Sequence, residues 1–309
     1  MTVEAGARTT APQISLRDWS LIILLGAIWG GSFFFARIAV AEIAPLVLVM
    51  FRVGIAAIAL QVWLLVRGPS FRMALPHTVG LFGLALVNNV IPFSLIFAGQ
   101  TELGAGLAAI LNATTPFWTA ILANMFLADE KLSWAKVAGI LFGIAGTAVM
   151  IGPGALAGIG GPIWAKLALI GASASYAVSF IVTRRFRGVP PPVLATGQLT
   201  AAAIMMIPVV LLFHGPAGLF AASAGVWSAV LALALLSTAF AYIIYFRIIA
   251  SAGATNASLV TLIVPVSAIL LGAVFLGERL ETFELLGMGF IGLGLVTIDG
   301  RIFNRYQAR

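Results

Sequence analysis

The chain has 309 residues, of which 61% are hydrophobic and only 9% charged, with a mean hydropathy of +1.12. That balance lies outside the range of soluble domains. A formal charge of +7 would suggest a nucleic acid partner in a soluble protein, but here the basic residues flank apolar runs and set membrane orientation, so none is expected.

Apolar runs of about twenty residues, joined by short hinges rich in Pro, Gly or charge, predict an all-α polytopic protein of roughly ten spans in a lipid bilayer. A β-barrel is excluded because the runs are continuously apolar rather than alternating. The predicted spans cover 19–39, 45–66, 77–98, 104–127 and 134–152, then 162–182, 192–213, 225–246, 253–276 and 285–299. The 1–18 segment reads as a cytoplasmic tail leading into an uncleaved first span, and 300–309 as a second cytoplasmic tail. Zero cysteine excludes disulfides, thiol catalysis and thiolate metal sites, and no metal or cofactor is expected.

With the N-terminus cytoplasmic, the inside segments hold Arg8, Arg17, Arg67, Arg72, Lys131, Lys136, Arg184, Arg185, Arg187, Arg247, Arg301, Arg305 and Arg309. The other side receives Arg37, Lys166 and Arg279. This excess predicts both termini inside and an even span count.

Gly104 to Leu132 is an apolar run carrying Asn112, Thr115 and Pro116, and it returns as Gly253 to Leu280, where Gly104 falls on Gly253, Asn112 on Thr261 and Pro116 on Pro265. The duplication extends along the chain: Trp19 on Trp164, Pro45 on Pro192, Asn88-Asn89 on Ser237-Thr238, and Gly139, Phe142 and Gly146 on Gly287, Phe290 and Gly294. The halves are therefore 19–152 and 162–299, joined by a 153–161 loop. Five spans in each half force the second copy into the membrane upside down, the architecture of alternating-access carriers.

These residues resemble a known family. The early WGGSFFFARIAV, a second span opening PLVLVMFR, and the paired FLADEKL and FLGERL blocks are similar to the drug/metabolite transporter superfamily, EamA type, with two EamA domains. The resemblance implies a ten-helix carrier of the bacterial inner membrane, with spans one to four and six to nine around a central cavity and spans five and ten peripheral. It also implies export of amino acids, other metabolites or toxic compounds.

Ala108, Asn112, Thr115 and Thr119 fall on one helical face. Asn112 lines a wet cavity or bonds two helices together. Pro116 removes a backbone donor and frees a carbonyl near residue 112, which favours a cavity lining or hinge, and Pro265 is expected to do the same opposite it. Pro92 interrupts the third span just after Asn88 and Asn89, a second pair for substrate contact. Arg52, roughly 10 Å into a core about 30 Å thick, either holds a carboxylate or phosphate or serves as a structural clamp. Its repeat mate is Leu199. Trp29, Phe33, Trp118, Tyr176 and Tyr242 offer aromatic walls or interhelical packing, and Ser237 and Thr261 complete the candidate lining. Gly139 with Gly143, and Gly287 with Gly294, read as close helix packing, a homodimer face through spans five and ten being one use of it.

No Asp or Glu lies well inside a predicted span, which argues for facilitated diffusion or exchange of small metabolites, with Glu102 the fallback titrating group. The alternative is a proton-coupled efflux carrier for drugs or toxic compounds. A membrane-embedded enzyme would need acid-base machinery that neither His77 nor His214 has beside it, and a channel would favour a polar ring over a five-plus-five repeat.

Overall fold

The computed structural model describes residues 15–127, 132–157, 161–252, 257 and 259–299. Its helical segments are, in chain order, α1 (Leu16–Ala39), α2 (Pro45–Arg67), α3 (Phe71–Gln100), α4 (Ala105–Phe126), α5 (Trp134–Ala157), α6 (Ile163–Thr183), α7 (Pro191–His214), α8 (Ala224–Ala252), α9 (Val260–Leu276) and α10 (Thr282–Asp299). Among the described residues, 7 helices are long and apolar enough to cross a membrane, namely α1 to α4 and α6 to α8, and α5, α9 and α10 contain shorter apolar helices.

The ends follow from local chemistry. Ser15 and Asp18 form a reciprocal capping box at the start of α1. Pro45 and Pro191 open α2 and α7, where a missing N–H costs nothing. Gly277 closes α9 in the left-handed region at φ 66°. Some helices outrun the apolar pattern: α1 starts at Leu16, α3 begins with a 3-10 turn at Phe71, α5 continues to Ala157 and α8 to Ala252. The expected span start at 253 lies outside the described residues.

Two long helices are not uniform. α3 widens into a π-helical segment over Leu86–Val90, and α8 does so over Ala232–Phe240. Under the sequence repeat, which sets Asn88-Asn89 on Ser237-Thr238, these segments coincide. Pro92 follows the π turn and sits at the start of a regular helix, so the backbone loosens ahead of the proline rather than at it. In α4 the helix stops at Asn112 and restarts at Thr115, with Pro116 in its first turn. At Pro265, by contrast, α9 stays helical across the proline.

Packing has an internal order. α1 packs on α9 as α6 packs on α4; α3 lies on α6 and α7 as α8 lies on α1 and α2; α2 pairs with α7, α4 with α9, and α5 with α10. Adding five to every label, modulo ten, returns the same set of pairs. The α5–α10 pair sits backbone to backbone: a Cβ on Gly139 would lie 2.7 Å from the Gly294 carbonyl, and one on Gly146 2.6 Å from the Gly287 carbonyl. The glycine spacings thus serve close packing within one chain, as their first reading expects.

Candidate functional site

A cavity of about 940 Å³ opens at one end of the bundle, between Arg37, Thr101, Leu107, Val226, Leu276 and Glu284. These residues come from the end of α1, the α3–α4 junction, the start of α8, the end of α9 and the start of α10, so those ends share one face. Glu102, the fallback titrating residue, lines this mouth. So does Glu278, whose carboxylate accepts from the backbone N–H of Ala105 at 2.8 Å and of Gly106 at 3.2 Å, capping α4 from the turn after α9. Glu42 likewise accepts from the Ser223 N–H at 2.6 Å and hydroxyl at 2.8 Å at the start of α8. Those two bonds, the backbone one first, hold the Glu42 carboxyl below its ordinary value.

A buried polar cluster lies along α2, α3, α6, α7 and α8. Arg52 on α2 is 7% exposed, and its Nε donates to Thr238 Oγ1 at 3.0 Å. Its guanidinium lies 3.8 Å over the Phe93 ring and 5.7 Å from that of Phe97. Tyr176 and Tyr242 interact with it electrostatically, and among the described residues no carboxylate pairs with it. Among the described residues, one of the five guanidinium N–H donors is used, and the terminal nitrogens have no acceptor. A charged hydrogen bond contributes about 1.5–3 kcal/mol and a desolvated cation–π contact about 2 kcal/mol, against a desolvation cost of several kcal/mol. The two sides are of similar size, and no counter-ion among the described residues contributes to the balance.

Next to it, the Asn88 amide donates to Gln198 Oε1 at 2.8 Å and accepts from the Ser179 hydroxyl at 2.8 Å, while Gln198 reaches the Tyr242 hydroxyl at 3.5 Å. Ser175 satisfies the Val87 carbonyl of the widened turn at 2.7 Å. Asn89 is fully buried, and neither of its amide atoms has a hydrogen-bond partner. The Tyr242 hydroxyl lies beside it without the geometry of a bond.

Of the sequence candidates, the structure brings Arg52, Asn88, Asn89, Tyr176 and Tyr242 together. Asn112 sits in the α4 break with its side-chain oxygen buried and unbonded. Its backbone carbonyl, freed by Pro116, accepts from Thr115 at 2.7 Å and lies 3.2 Å from the Ser173 hydroxyl of α6. Thr115 thus spends its hydroxyl on its own backbone. Ser237 donates to the Ile28 carbonyl at 3.1 Å, tying α8 to α1. Phe33 is a buried packer whose carbonyl accepts from Gln100 at 2.8 Å, and Trp29 packs on Tyr245 at 5.4 Å between centroids. Trp118 is half-buried on α4 and Thr261 on α9, one turn before Pro265.

Sequence reasoning missed Thr238 as the partner of Arg52, and Ser175, Ser179 and Gln198 altogether. Gln198 had one signal: an isolated amide in an apolar run, next to the repeat mate of Arg52. Among the described residues, His, Asp and Glu nowhere gather in a group of three that could hold a metal ion.

The comparisons with known proteins agree with this architecture. The EamA-like transporter family model matches residues 19–152 and 163–298, and the chain belongs to that family. It is a membrane transporter. It is 30% identical over 294 residues to the uncharacterized inner membrane transporter YedA of Escherichia coli K12, covering 92% of each chain. It is 25% identical over 290 residues to a S-adenosylmethionine/S-adenosylhomocysteine transporter of Chlamydia trachomatis serovar L2, covering 89% of this chain and 86% of the relative. A crystal structure at 22% identity superposes with a TM-score of 0.67 over 96% of this chain and 100% of the other, which shows the fold.

Proposed function

We propose that the protein is a secondary carrier in which two five-helix halves of opposite membrane orientation, 19–152 and 162–299, move around a midplane site. The observation that carries this reading is the packing pattern: exchanging the halves returns the same main helix pairs, and the two π-helical segments fall at equivalent positions. The polar cluster draws on both halves, with Arg52, Asn88 and Asn89 from the first and Tyr176, Gln198, Thr238 and Tyr242 from the second. An interface of this kind is where an alternating-access carrier binds its cargo.

The cargo is a small amphipathic metabolite, moved outward across a bacterial inner membrane with both termini cytoplasmic. The aromatic and polar lining supports the amphipathic class, and the names of the Escherichia and Chlamydia relatives support the membrane and the size of cargo. Transport is uncoupled or exchanging, since the acids of described placement stand at helix ends and in turns. Proton-coupled efflux is the second reading, and Glu102 at the cavity mouth is the observation that favours it. Pro92, Pro116 and Pro265 are the hinge candidates, the break at Ala113–Thr114 giving Pro116 most support.

Reconstitution into liposomes tests the carrier. Saturable counterflow of a labelled amino-acid pool without a pH gradient, diminished in Asn88→Ala, is the expected result. Flux that rises without saturation would point to a channel, and strict dependence on a pH gradient would shift the reading to the coupled form.

A further inference from the structure

We propose that the terminal nitrogens of Arg52, together with the Asn89 amide, bind the carboxylate of an amphipathic substrate. This deepens the carrier reading above and rests on it. Three observations point the same way. Arg52 is nearly sealed from solvent, yet among the described residues one hydrogen bond, from Nε, is all that it makes. A planar guanidinium whose two outer nitrogens are unused presents the fork that matches the two oxygens of a carboxylate. Asn89 is fully buried with both amide atoms unbonded, and it lies one helical turn from Phe93, the ring on which the guanidinium stacks.

A purely structural role explains these features poorly. A clamp would spend its outer nitrogens on backbone carbonyls or a carboxylate, as Arg37 does when it donates to the Gln100 and Thr101 carbonyls at the end of α3. The groups that face Arg52 are Phe93, Phe97, Thr238, Tyr176 and Tyr242, none of them anionic in the ordinary pH range. A cation offered to this site would meet like charge, whereas an anion would neutralise it. Val47, which lines the second cavity, precedes Arg52 by about 7.5 Å along α2.

Thermal unfolding of the purified full chain in detergent tests the inference, with 3-phenylpropionate, L-phenylalanine and phenethylamine as probes. Both carboxylates are expected to raise the native Tm saturably and phenethylamine to leave it unchanged. Arg52→Met is expected to unfold at the same or a higher temperature without ligand, because it replaces a buried charge that has no counter-ion by an apolar side chain, and to lose the carboxylate response by about tenfold or more in apparent affinity. Arg52→Lys, which keeps charge but not the fork, is expected to retain a weakened response. No shift with either carboxylate, an equal shift with the amine, a response surviving in Arg52→Met, or a lower Tm for unliganded Arg52→Met would each overturn the proposal. Saturable counterflow that Arg52→Met leaves intact would overturn it while leaving the carrier standing. Unsaturable flux in the native chain would count against the carrier, and the Tm responses would still decide the anion site.

Discussion

Arg52 and Thr238 meet across 186 residues of sequence, the guanidinium Nε donating at 3.0 Å to a hydroxyl that itself donates to the Leu233 carbonyl at 2.8 Å. The second bond exists because α8 is π-helical there and places that carbonyl five residues back. Thr238→Val keeps the shape and removes both bonds, so it is expected to lower stability by about 1–3 kcal/mol. Thr238→Ser should restore most of it. Thermal unfolding in detergent distinguishes the two, and a native-like Val variant would show that the hydroxyl contributes nothing.

Asn88 links three helices through Ser179 and Gln198. Removing one amide strands the other in a buried site, so Asn88→Leu and Gln198→Leu are each expected to cost more than the hydrogen bond itself. Combined, they should cost less than their sum, with a coupling of about 0.5–3 kcal/mol. Additive effects in a double-mutant cycle would place the two amides in separate environments.

Much of this was legible beforehand, for identifiable reasons. Apolar runs mark helices whatever their partners, and the Gly104 and Gly253 blocks declare a duplication because their spacing is constant. Arg52, Asn88 and Asn89 stood out because polar groups in hydrocarbon need a reason. Their partners did not stand out, since Thr238, Ser179 and Gln198 lie in other helices and a hydroxyl there is ordinary. The break at Pro116 followed from the missing donor, yet Asn112 and Pro265 show its limits. Hydroxyls of Thr115 and Ser173 satisfy the freed carbonyl of one, and α9 absorbs the other without a break. The π-helical turns had no signature in composition at all.

The α5–α10 contact makes a steric prediction. Gly146→Ala would bring a methyl to 2.6 Å from the Gly287 carbonyl and 2.9 Å from the Ile291 nitrogen, and backbone atoms cannot swing aside. A loss of about 1–3 kcal/mol is expected from overpacking. Gly292→Ala on the same helix pair meets nothing within 4 Å and should be neutral or slightly stabilising. Equal behaviour of the two variants in a thermal melt would contradict the close approach.

The Glu42 cap on α8 has a pH signature. Its folded carboxyl titrates below the ordinary 4.5, so its contribution is fully present above that value and is lost as pH falls through the lower folded one. The Tm gap between the native chain and Glu42→Ala is therefore expected to be largest near neutrality and to shrink below pH 4.5. A gap that is constant down to pH 3 would show that the cap's strength is independent of charge.

The carrier reading stands or falls with the opposed orientation of the halves, and a chain without cysteine is ready for that test. Ala41, between α1 and α2, and Gly188, between α6 and α7, occupy equivalent turns and are both exposed. Single cysteines at each, probed in intact cells with a membrane-impermeant maleimide, are expected to label from outside at Ala41→Cys and only after permeabilisation at Gly188→Cys. Labelling of both from the same side would contradict the inversion, and with it the two-fold mechanism.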